Sequence, residues 1–71
     1  MTSESLTWEH TFAIARRLLQ EYPQADLEQV SLKMIFDWTI ALPEFADDRE
    51  LANDAILAEI YQEWFEEANP V

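Results

Sequence analysis

Cysteine and glycine are both missing from this chain of 71 residues. Without cysteine there is no disulfide, no thiolate zinc site and no thiolate ligation of a metal cluster, so any metal must be held by oxygen or by His10, the single histidine. Without glycine, a hairpin turn that needs φ > 0, a glycine C-cap and a phosphate-cradling loop are all excluded. Positive charge is scarce as well. Fifteen acids against four bases give a formal net charge of -11, which repels a phosphate backbone and releases no counterions on binding one. No segment approaches the roughly 20 apolar residues of a membrane span, and the start MTSESLTWEH has neither a basic beginning nor an apolar run of signal length. Nucleic acid and membrane are therefore poor partners, and a cytoplasmic location is expected.

What the chain does have is bulk. A domain of this size buries only about 60% of the surface its unfolded chain exposes, so its core must be dense in large side chains. Three tryptophans, four phenylalanines and two tyrosines meet that need, and 49% of the residues are hydrophobic. One domain over residues 1–71 is expected, with residues 1–5 a loose start. The charge is uneven: residues 1–36 carry five acids and three bases, whereas residues 37–71 carry ten acids and one base. Partner-facing electrostatics should lie in the second half.

The three prolines each stand just beyond a stretch of helical period, where a fixed φ and a missing N–H stop a helix. Ile14, Leu18 and Tyr22 recur every four residues, widened by Ala15 and Leu19, which predicts a helix over about 9–21 before Pro23. Between Pro23 and Lys33 the sequence is too short and mixed for a full helix. Asp26 can cap a single turn there, with Val30 to Leu32 running extended as at most a minimal strand. Ile35, Trp38 and Leu42 line one face of a second helix from Lys33 to Leu42. Ile56, Leu57, Ile60 and Trp64 mark a third, running to about Ala68, with Asp48 or Asn53 as its cap. The fold class is mainly α, three helices around one core.

The order Leu6-Thr7-Trp8, Leu18, Tyr22-Pro23, Asp26, Val30, Trp38, Leu42, Phe45, Asp47-Asp48, Asn53, Ile56-Leu57, Ile60, Trp64, Glu67-Ala68 resembles the IscX family, without a gap from Leu6 to Ala68. The resemblance implies a compact helical fold related to the winged helix. It also implies an acidic adaptor or regulator of iron-sulfur cluster assembly that binds the cysteine desulfurase, binds iron weakly and catalyses nothing. Departures from the pattern as expected are His10 after Trp8, Ala41, Pro43 and Ala46 around Phe45, and Arg16 and Arg49.

Glu44, Asp47 and Asp48 put three carboxylates into one turn, hard oxygen donors suited to weakly held iron with water completing the shell. The plainer reading is a solvated loop that caps a helix. Asp47, Asp48, Glu66 and Glu67 are the candidate face for the desulfurase. Glu59, Glu63 and Glu67 stand at four-residue intervals near a helix end, where like charges and the helix dipole both disfavour them, which hints at a basic partner although solubility explains them equally. His10 reads as a surface histidine, and Arg16 and Arg17 open no basic patch. No nucleophile–base pair, cofactor loop or metal-ligand spacing points to an enzyme. A monomer that folds without metal is expected. The competing reading is a generic acidic helical module, such as an antitoxin or a nucleic-acid mimic.

Overall fold

The computed structural model describes residues 5–69. Three helices carry the architecture: α1 (Thr11–Glu21), α2 (Leu32–Ile40) and α3 (Asp54–Ala68). Two short 3-10 turns, Leu27–Gln29 and Arg49–Leu51, connect them.

Each start has a local cause. Ser31 Oγ accepts the N–H of Met34 at 3.1 Å and opens α2, and Asn53 Oδ1 accepts the N–H of Ile56 at 2.9 Å and opens α3. Of the two expected caps, Asn53 serves α3, while Asp48 caps the 3-10 turn by accepting the N–H of Glu50 at 2.9 Å. Asp26 caps the other 3-10 turn through the N–H of Glu28, as its position predicts. α1 ends where Tyr22 N–H closes on Leu18, directly before Pro23.

Two boundaries differ from the periodicity. α1 begins at Thr11 rather than residue 9, because residues 7–10 form a turn closed by His10 N–H on the Thr7 carbonyl at 2.9 Å. α2 covers Leu32–Ile40 rather than 33–42, since Leu42 N–H turns back onto the Thr39 carbonyl. Of the stretch expected to run extended from Val30 to Leu32, with at most a minimal strand, no strand forms and Leu32 is corrected to helix. Val30 and Ser31 have extended backbones but pair with no strand among the described residues, and Leu32 is already helical, because the Ser31 side chain caps a helix there. Strand-like pairing occurs instead between Leu6 and Phe45, a single parallel bridge built from Leu6 N–H on the Glu44 carbonyl and Ala46 N–H on the Leu6 carbonyl, both 2.9 Å. Among the described residues there is no sheet and no wing hairpin, so the winged-helix relationship stays an implication of the resemblance alone.

The core is one cluster. Ile14, Ala15 and Leu18 of α1, Ile35 of α2 and Leu57, Ile60 and Trp64 of α3 are buried in it, closed by Leu6, Trp8, Leu27 and Leu42. α1 and α3 share the largest helix interface. Aromatic pairs bind the periphery: Trp38 stacks on Tyr22 with centroids 4.2 Å apart and meets Trp64 edge-on at 6.0 Å, while Trp8 lies parallel to Phe36 at 5.9 Å and edge-on to Phe45 at 4.8 Å. Such pairs each contribute roughly 0.5–1.5 kcal/mol beyond their buried area. Trp8 and Trp64 are core residues and Trp38 is half-buried, so none of the three forms an open stacking platform.

Candidate acidic docking face

The bridge at Leu6 brings the N-terminal segment against the turn after α2, and Trp8 fixes that turn in place. Its backbone N–H donates to Asp47 Oδ2 at 3.1 Å and its indole N–H donates to the Asp48 carbonyl at 2.9 Å. Asp47 also accepts the N–H of Asp48 through Oδ1 at 2.7 Å. Both aspartates are thus oriented by backbone donors, yet among the described residues neither forms an ion pair.

Glu44, three residues earlier, has a different fate. Arg17 Nε donates to its Oε2 at 2.7 Å, while Arg17 Nη1 donates to Glu21, also at 2.7 Å. The hydrogen bond from Arg17, helped by a backbone donor, holds the Glu44 carboxyl below its ordinary pKa, and the same bonds to Glu44 and Glu21 raise Arg17. Glu44 Oε1 is buried without a hydrogen-bond partner among the described residues. The three carboxylates of the turn are therefore not gathered: Glu44 is neutralised by Arg17, Asp48 caps the 3-10 turn, and Asp47 holds the N–H groups of Trp8 and Asp48. Among the described residues no three His, Cys, Asp or Glu side chains are disposed around a common metal position.

α3 carries the other acids on one flank of its buried stripe. At about 100° per residue, Glu59, Glu63, Glu66 and Glu67 all fall within a quarter-turn or so on the side where Ile56 sits, whereas Phe65 lies about 180° from Ile56. The hydroxyl of Thr11 lies 2.6 Å from Glu63 Oε2 and 3.1 Å from Glu59 Oε2, so α1 reaches this flank through a polar contact. Asp47 and Ile56 line the same groove, and Glu67 is eleven residues further on, about 16 Å along the axis. Asp47 and Asp48 on one hand and Glu66 and Glu67 on the other stand near opposite ends of a stripe that Glu59 and Glu63 fill in.

The ion pairs among the described residues join Arg17 to Glu21, Arg17 to Glu44 and Lys33 to Asp37. None touches Asp47, Asp48, Glu59, Glu63, Glu66 or Glu67. Every internal base that finds an acid finds one off the stripe. Arg16 lies over the Phe12 ring at 5.8 Å. His10 is exposed, and its Nδ1 accepts the Thr7 N–H at 3.3 Å.

A family model described as iron-sulphur cluster assembly matches residues 6–69. The chain belongs to this family, the IscX family. A relative from Pseudomonas aeruginosa, named only as an uncharacterized protein, is 33% identical over 63 residues, covering 89% of this chain and 96% of its own length. The family is one of iron-sulfur cluster assembly, which supports a role in that process, and the match spans all three helices and the turn that holds Asp47 and Asp48. No helix among the described residues is long and apolar enough to cross a membrane.

Leu51 is the feature that sequence reading misses here. It is 59% exposed, the most exposed large apolar side chain among the described residues, and stands beside Asp47 and Ile56. The one signal for it is a leucine isolated among acids in the stretch Asp47 to Asp54.

Proposed function

We propose that this chain is a cytoplasmic adaptor of iron-sulfur cluster assembly that docks, as a monomer, on a basic surface of the cysteine desulfurase and modulates the desulfurase without catalysing a reaction. The observation that carries this reading is the stripe of acids from Asp47 along α3, none of which has an internal basic partner among the described residues. Like charges at four-residue spacing near the C-terminal end of a helix cost a few tenths of a kcal/mol per pair in the isolated molecule. A cationic partner turns that cost into attraction and steers encounter. Family membership supplies the process in which the partner is to be sought.

Iron enters this reading as weakly held cargo. Asp47 and Asp48 form no ion pair among the described residues and offer hard oxygen donors that water can complete, whereas Glu44 joins them only by leaving Arg17. Titrating the protein into a purified desulfurase and scaffold reaction, with and without ferrous ion, tests both parts. Complex formation together with a changed rate of cluster assembly is expected. Absence of any complex at low salt overturns the adaptor reading.

A further inference from the structure

Where the 47–51 loop crosses the start of α3, an open groove of about 460 Å³ lies between the loop, the N-terminal turn and the helix. Its apolar part comes from Trp8, 3% exposed, from half-buried Ile56 and from Leu51. Three carboxylates, Glu9, Asp47 and Glu59, line the same groove. Leu51 is 59% exposed, so much of an apolar side chain stands in water here, where covering it is favourable.

We propose that this groove is the anchor point of the docking face and takes one long basic side chain, arginine or lysine, from the partner. The aliphatic stem of such a side chain covers Leu51 and Ile56 while its cationic head meets Glu9, Asp47 and Glu59, the combination of an apolar body and a charged tip that these two residues alone offer. An apolar ligand leaves three carboxylates dehydrated without a counter-charge, and an acidic one is repelled; charge complementarity selects the basic side chain. The inference rests on the adaptor reading for the partner, and adds that the stripe along α3 steers while the groove holds. Steering charges act mainly on association, and a buried anchor acts mainly on dissociation, so the two roles separate kinetically.

Two measurements on the full chain test it. In the first, the isotope-labelled protein is titrated with the peptide acetyl-Leu-Arg-Leu-Arg-amide and with its glutamate counterpart, followed by amide and indole N–H shifts. The basic peptide is expected to move the Trp8 indole, Leu51, Ile56 and Glu59 signals, with the acidic peptide silent. Shifts confined to residues 63–67, or no shifts, overturn the groove as a basic-side-chain site whatever the partner proves to be. In the second, Leu51→Ser is compared with Phe65→Ser, an exposed aromatic on the opposite face of α3, for binding to the desulfurase. Leu51→Ser should dissociate about fivefold faster or more, with association little changed, and Phe65→Ser should match the wild type. Equal dissociation of both variants overturns the anchor while leaving the adaptor reading intact, whereas failure of the wild type to bind overturns the adaptor reading and leaves the peptide result to decide the groove. Circular dichroism confirms that both variants, changed at exposed positions, remain folded.

Discussion

The backbone N–H of Trp8 donates to the Asp47 carboxylate across 39 residues of sequence, so an acid of the proposed docking face also fastens the N-terminal turn to the loop before α3. Removing the acceptor leaves a part-buried donor without a partner, which costs about 1–3 kcal/mol. Asp47→Ala should lose stability in that range, and Asp47→Asn, which keeps an acceptor, should lose clearly less. Urea unfolding distinguishes them. Equal losses would mean that a single remaining acceptor does not hold the Trp8 N–H, and that the turn needs both carboxylate oxygens or the charge of Asp47.

Thr39 gives a prediction in the opposite direction. Its side chain is fully buried in α2 and its hydroxyl has no hydrogen-bond partner among the described residues. Replacing it by the near-isosteric valine removes a buried polar group without making a cavity, and an unpaired hydroxyl costs about 1–3 kcal/mol. Thr39→Val should therefore raise the urea midpoint or leave it unchanged. A clear fall would show that the hydroxyl finds a partner in solution.

Acid stability should report on Glu44. Its carboxyl is held below its ordinary value, first by the Arg17 hydrogen bond. A depressed folded pKa contributes stability above the unfolded value of about 4.3, and that contribution is lost as pH falls through the folded value. Wild type should thus lose stability more steeply than Glu44→Gln below about pH 4, the two curves converging at the most acid end. Parallel curves from neutral pH downward would contradict the pairing with Arg17.

The start of α3 depends on Asn53. Losing its side-chain bond to the Ile56 N–H should cost about 1 kcal/mol in Asn53→Ala. Asp48→Ala should cost less helix signal, because Asp48 caps only the short turn at Arg49–Leu51. Far-ultraviolet circular dichroism with urea titration measures both.

The three helices are legible in the sequence because their causes are local. Ile14, Leu18, Ile35, Ile60 and Trp64 repeat at helical spacing, Pro23 and Pro43 stop the chain, and Asn53 and Asp26 are caps by residue type. Contacts with no local signature are not legible. The bridge from Leu6 to Phe45 joins backbone groups, which any sequence possesses, and the Arg17–Glu44 pair spans 27 residues. That second contact matters for the site, since it withdraws Glu44 from the acidic turn, and no pattern of acids along the chain announces it. Val30 misleads because a β-branched residue beside Leu32 reads as strand, when Ser31 between them is already committed to capping α2. Glu59 and Glu63 appear in the sequence as an unexplained like-charge row. Only folding connects that row to Asp47 through Thr11 and the groove at Leu51.

If, as proposed, the acids along α3 steer docking on the cysteine desulfurase, their effect is read in the association rate. Glu66→Lys and Glu28→Lys change the net charge equally, both positions are exposed, and neither acid forms an ion pair among the described residues. Only Glu66 lies on the stripe; Glu28 belongs to the 3-10 turn in the nearly neutral half. Stopped-flow association at low salt should be slowed several-fold by Glu66→Lys and little by Glu28→Lys. The difference should shrink at high salt, because screening beyond a Debye length of about 8 Å already sets in at physiological ionic strength. Equal rates for the two variants, or a wild-type rate unchanged between low and high salt, would contradict the account.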